Sequence, residues 1–205
     1  METTITITTI NEPQLFLNGL CENIRRYNHN DVNIIIIGDK KTPDITNLCR
    51  QAEYRYTVPI EYLDVVKQNE VIPRQLLEMF DYNTPDRTIL GGMLAYLRGA
   101  QRIIAVDDDN FVTKNDFVGW HSKVGKTQKI PMIISNTGWF NVHVVLKADV
   151  KFYPRGYPFG QRHQKVRAET VVDMKKIAVN QGLVLGDPDI DAIQRLAHPI
   201  QAIAM

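Results

Sequence analysis

The chain has 205 residues, a formal net charge of +1 and 44% hydrophobic residues. That length fits one α/β domain with its own core, and the near-neutral charge excludes a basic stripe for nucleic acid. No apolar run approaches a membrane span, and Met1-Glu2-Thr3-Thr4-Ile5 lacks the basic and apolar regions of a signal peptide. Cys21 and Cys49 have no metal-ligand spacing and read as reduced thiols of a cytoplasmic protein. Self-association is left open.

Thr3 to Ile10 is β-rich and predicts a first strand, broken by Asn11-Glu12-Pro13. Pro13 suits the first turn of a helix running to about Tyr27. Val32 to Ile37 is almost wholly apolar, the pattern of a strand buried on both faces. A helix from about Asp44 to Ala52, a short strand at Ile60 to Val65 and a helical stretch from Val71 to Phe80 follow. Thr84-Pro85-Asp86 reads as the start of a helix that runs to Arg98, with Gly99 as its C-cap. Gly91-Gly92 inside it predicts close packing on the sheet, since glycine in a helix costs about 1 kcal/mol against alanine. Arg102 to Val106 predicts a buried strand, Asn115 to Ser122 a short helix and Met132 to Ser135 another strand. Strand–helix alternation up to that point argues a mostly parallel sheet. Beyond Asn136 the segments rich in aromatics, Gly and Pro read as structured loops. The expectation is a single α/β domain over residues 1–205. Residues 1–135 form its nucleotide-binding half, and residues 136–205 its sugar- and acceptor-side loops and helix.

Four constellations carry chemistry. Asp107, Asp108 and Asp109 directly follow the apolar run Ile103-Ile104-Ala105-Val106. Ligands of open α/β sheets bind at the carboxyl ends of strands, and adjacent carboxylates repel one another unless a cation lies among them. Hard Mn²⁺ or Mg²⁺ commonly bridges one or two carboxylates to substrate phosphates. Asp109 is the expected metal ligand, with Asp107 as a second ligand or a ribose contact; Asp108 belongs to the same cofactor site. A solvated loop or helix cap is the competing account. In Gly38-Asp39-Lys40-Lys41, Asp39 has the chemistry to accept from a base or ribose and the lysines to face phosphate; a solvated turn is the alternative.

Arg155-Gly156-Tyr157-Pro158-Phe159, with Arg162 nearby, combines planar guanidinium groups suited to a diphosphate with aromatics that can stack on a sugar or base. Gly186-Asp187-Pro188-Asp189-Ile190-Asp191 follows the strand-like run Leu183-Val184-Leu185. Asp189 and Asp191 are candidate catalytic carboxylates for anomeric chemistry. Capping of a helix Ala192–Ala197 is the alternative. His29, His121, His143, His163 and His198 are scattered, and His163 alone lies near the arginines. GxSxG, P-loop and GxGxxG motifs are absent, which removes support for hydrolase, ATPase and dehydrogenase functions.

Taken together, the DDD at 107–109, the RGYPF at 155–159 and the segment Gly182–Ala192 resemble the reversibly glycosylated polypeptides, the UDP-arabinopyranose mutases of plants. The resemblance spans roughly Ile103 to Leu196, and the first hundred residues match only in layout. It implies a GT-A-like domain, a divalent metal at the acidic motif, UDP-sugar chemistry, and Arg155 in the place of the family's glycosylated arginine. Gly186-Asp187 departs from the family pattern, and the 205 residues are fewer than the resemblance leads one to expect. The function expected is metal-dependent glycosyl transfer from a UDP-sugar to an unknown acceptor, with Arg155, Asp189 and Asp191 as catalytic candidates. A UDP-sugar mutase and a non-catalytic, self-glycosylated subunit are the alternatives.

Overall fold

The computed structural model describes residues 2–197, 200 and 203–204. Two units are distinguished, Met1–Val124 and Gly125–Met205.

The first unit is built on β1 (Thr3–Thr9), α1 (Gln14–Arg26), β2 (Val32–Gly38), α2 (Thr46–Tyr56), β3 (Ile60–Leu63), α3 (Val65–Val71), α4 (Arg74–Leu77), α5 (Thr88–Leu97), β4 (Arg102–Asp107) and α6 (Phe117–His121). The four strands are parallel in the order β3-β2-β1-β4. This is the α/β class with a mostly parallel central sheet that the alternation predicts. Pro73 separates α3 from α4, so the helical stretch expected at Val71 to Phe80 reduces to the short α4, while α3 lies before it and ends at Val71. Gly99 takes φ +80° after α5, the left-handed conformation of a helix C-terminus.

Burial explains the strand sequences. Ile34 and Ile36 of β2 pack with Phe16, Leu17 and Leu20 of α1, while Ile35 and Ile37 pack with Leu90 and Leu94 of α5 on the other face. Both faces of β2 are therefore covered, which is why Ile34–Ile37 is unbroken apolar. In β1, Ile5 and Ile7 join the cluster with α1. Thr6 lies beneath α5, where a Cβ on Gly91 would stand 3.1 Å from Thr6 Cβ and 3.2 Å from Ile37 Cγ1. Gly91 thus permits the close helix–sheet approach expected of it. Gly92 has open space instead, facing an apolar cavity of about 610 Å³ shared with Leu76, Met93, Tyr96 and Ala105.

β4 corrects one expectation. It is an edge strand, and Ile104 alone is buried, with Ile103 and Ala105 exposed on the opposite face. A strand's two faces are enclosed only where elements pack over both, and the cluster beneath α5 takes in Ile35 and Ile37 of β2 but no residue of β4.

The second unit comprises β5 (Thr127–Ser135), β6 (Leu146–Lys147), β7 (Ala168–Lys176), α7 (Ala192–Ala197) and β8 (Ile203–Ala204). β5 pairs antiparallel with β7, and β6 with β8. The strand expected at Met132 to Ser135 therefore joins a ribbon rather than the parallel sheet. Its partner β7 was hidden by its polar, solvent-facing sequence. Leu183-Val184-Leu185, expected to be strand-like, forms no strand and is largely exposed. A small core gathers Leu146, Phe152, Ile190 and Ile200.

Candidate functional site

The parallel register places three chain exits side by side. Thr9 of β1 pairs with Gly38 of β2, and Thr8 of β1 with Asp107 of β4. Residues 10–11, Asp39 and Asp108 therefore all leave the sheet at its carboxyl edge. From β1 the chain moves outward to β2 and β3 on one side, whereas β4 lies on the other. Strand order reverses between β1 and β4, and crevices at such switch points are where open α/β sheets bind ligands. The acidic triplet stands at that position.

Its three carboxylates differ. Asp108 Oδ2 accepts from the hydroxyl of the buried Thr9 and from Asn11 Nδ2 at 3.5 Å, and the Asn11 N–H donates to Thr9 Oγ1 at 3.0 Å. The end of β1 thus holds the middle carboxylate. Asp107 and Asp109 are exposed at the edge. The backbone turns there, with Asn110 N–H donating to Asp107 O and Phe111 N–H to Asp109 O, both at 3.2 Å. Among the described residues, no three His, Cys, Asp or Glu side chains converge as a metal-binding group.

Asp39 is 5% exposed. Its Oδ1 accepts the Lys40 N–H at 2.6 Å and its Oδ2 the Asn83 N–H at 2.7 Å. Arg87 Nε lies 3.7 Å from Oδ2. Arg87 itself is 0% exposed, donates to Gln68 Oε1, and lies over the Tyr82 ring with its guanidinium carbon 4.2 Å from the centroid. Gln68 Nε2 in turn donates to Gly38 O at 2.7 Å and Leu63 O at 2.8 Å. This buried network ties the ends of β2 and β3, α3 and the segment before α5 together. Lys40 is exposed, its ammonium 4.1 Å from the centroid of Tyr82, and Lys41 is exposed on the same turn.

In the second unit the two motifs richest in Arg and Asp dock on each other. Pro154 bridges Ile190, and the Arg155 N–H donates to Asp189 O at 3.0 Å. The Arg155 guanidinium meets the Asp189 carboxylate at 2.6 Å, with side chains 73% and 57% exposed. Arg162 meets Asp191 at 2.9 Å and is largely buried against Tyr153 and Phe159. Asp191 Oδ1 also accepts from Ile193 N at 2.9 Å and Gln194 N at 3.1 Å, the geometry of an N-cap on α7. The Gln194 N–H, then Arg162, hold its carboxyl below the usual carboxylate range, which makes it a weak base. Asp187 pairs with Arg195 at 2.6 Å.

His143 is buried beside Phe152, and burial keeps it below the ordinary histidine value. His163 is exposed, edge-on to Phe159 at 5.4 Å. His198 lies outside the described residues. Thr9, Asn11, Gln68 and Arg87 escaped the sequence reading because none sits in a motif. The nearest signal was Asn11-Glu12-Pro13 at the end of the first strand.

No family model matches the chain, and no curated protein matches it. The resemblance to reversibly glycosylated polypeptides accordingly stands on its motifs alone. Among solved structures, residues 1–349 of S. aureus TarS align with a TM-score of 0.40 at 10% identity, covering 63% of this chain and 34% of that one. A likeness of that size carries no argument about activity, and the chain spans about a third of the length of that structure. No helix among the described residues is long and apolar enough to cross a membrane.

Proposed function

We propose that the chain is a GT-A-like glycosyltransferase that takes a nucleotide sugar, UDP-linked, as donor. The observation that carries this reading is the acidic triplet at the switch point between β1 and β4, with one carboxylate held by Thr9 and Asn11 and two exposed. The exposed carboxylates Asp109 and Asp107 have the chemistry to bind Mn²⁺ or Mg²⁺, which takes hard oxygen donors and completes its shell with phosphate and water. A bound ion there would supply Lewis-acid neutralisation of the departing diphosphate.

In the transfer, an acceptor hydroxyl oxygen bonds to the anomeric carbon. The bond from that carbon to the diphosphate oxygen breaks, and its electron pair leaves on the diphosphate. The acceptor proton passes to a carboxylate. Of the second unit's two candidate carboxylates, Asp189 makes one ion pair, with Arg155, whereas Asp191 is committed both to the α7 cap and to Arg162. Arg155 is an exposed guanidinium, paired with Asp189, whose N–H groups can donate to sugar oxygens.

Calorimetry of UDP with and without Mn²⁺ tests the donor site. Affinity is expected to depend on the ion and to fall at least ~10-fold, about 1.4 kcal/mol, in Asp109→Ala. Unchanged Mn²⁺-dependent affinity in that variant would sink the metal assignment. Conversion of the donor to a ring isomer without an acceptor would make the protein a mutase instead.

A further inference from the structure

Trp139 is 44% exposed, yet its backbone is firmly held. The Gly138 N–H donates to Ser135 O at 3.1 Å, the Thr137 N–H to the Ser135 hydroxyl at 3.2 Å, and the Trp139 N–H to the Thr137 hydroxyl at 3.3 Å. Gly138 takes φ +74°, which glycine adopts without strain. Behind the indole stands Tyr157, edge-on at 6.0 Å, and behind that Tyr153 at 4.9 Å. Both tyrosines are buried, and the Tyr153 hydroxyl donates to Arg162 O at 3.1 Å. An aromatic presented to solvent on a rigid support is a preorganised contact surface, because little ordering remains to oppose binding.

Charged groups lie on the same support. The Tyr157 N–H donates to Pro154 O at 3.0 Å, so the turn that carries Tyr157 also carries Arg155. The exposed Arg155–Asp189 pair adds little to stability, since water screens it and two side chains must be ordered. A guanidinium and a carboxylate together offer donors and acceptors but no net charge. A nucleotide or phosphate gains nothing from that balance. A pyranose does: its C–H face stacks on an aromatic ring, and its hydroxyls both donate and accept.

We propose that Trp139, with Arg155 and Asp189 beside it, forms a platform for a neutral carbohydrate. Its role as the acceptor end of glycosyl transfer rests on the function proposed above; binding itself does not.

The two tryptophans are Trp120 and Trp139, so Trp120→Phe leaves Trp139 as the sole indole of the full chain. Short neutral gluco-, xylo- and manno-oligosaccharides are the probes. At least one is expected to shift Trp139 fluorescence saturably. By calorimetry, Trp139→Ala is expected to weaken that binding at least ~10-fold, the scale of losing an aromatic anchor, and Trp139→Phe to retain most of it. Unchanged melting in both variants guards against misfolding. No saturable response to any of these sugars, with Mn²⁺-dependent UDP binding intact, overturns the platform and leaves the donor site standing. Sugar binding without UDP binding does the reverse. UDP binding that shifts Trp139 and is lost in Trp139→Ala marks a nucleobase surface and also overturns it.

Discussion

Arg87 is wholly enclosed, and Asp39 almost so. A buried charge is costly unless a partner and hydrogen bonds meet it. Here the carboxylate takes two backbone N–H groups, and the guanidinium takes Gln68, Phe80 O and the Tyr82 ring. Removing one partner strands the other. Arg87→Met is therefore expected to cost about 3–5 kcal/mol, and adding Asp39→Asn to recover a good part of it. Urea denaturation of the three chains measures both effects; a loss under about 1 kcal/mol for Arg87→Met alone would mean that the pair is dispensable. Asp39 could be singled out from its place after a buried strand. Its bond to Asn83, 44 residues away, could not, and neither could the enclosure of an arginine, a residue rarely buried.

Elements repeat the contrast. Gly91 and Gly92 are adjacent in α5 and equivalent in sequence, yet opposite in surroundings. A Cβ at Gly91 meets Thr6 and Ile37 of the sheet, and one at Gly92 meets nothing within 4 Å. Gly92→Ala is expected to stabilise by about 0.5–1 kcal/mol, because helix propensity improves without a clash. Gly91→Leu is expected to destabilise by about 1–3 kcal/mol through overpacking. Equal shifts of the denaturation midpoint in the two variants would refute the packing argument. The start signal Thr84-Pro85-Asp86 and the C-cap Gly99 located α5, but which glycine faces the sheet depends on the rotation at which α5 lies over β1 and β2. Likewise, Asp191 was legible as a helix cap before Ala192, while its second bond, to Arg162, joins segments 29 residues apart.

At the scale of the molecule, the first unit owns both large apolar clusters, one on each face of its sheet. A fragment spanning Met1–Val124 is therefore expected to fold alone, with a single cooperative urea transition and dispersed NMR signals. A broad, non-cooperative transition would show that its core needs the rest of the chain. Local sequence determined the strand–helix alternation, the almost wholly apolar β2 and the acidic triplet at the end of β4, because periodicity and turn residues act over a few positions. The strands of the first unit are parallel and joined through helices, so the class of fold was legible too. Only the tertiary structure decided that β4 lies at an edge, that β5 pairs antiparallel with β7, and that Thr9 and Asn11 hold Asp108. Those outcomes depend on strand order and register, which bring together residues about a hundred positions apart and leave no periodic trace in the chain.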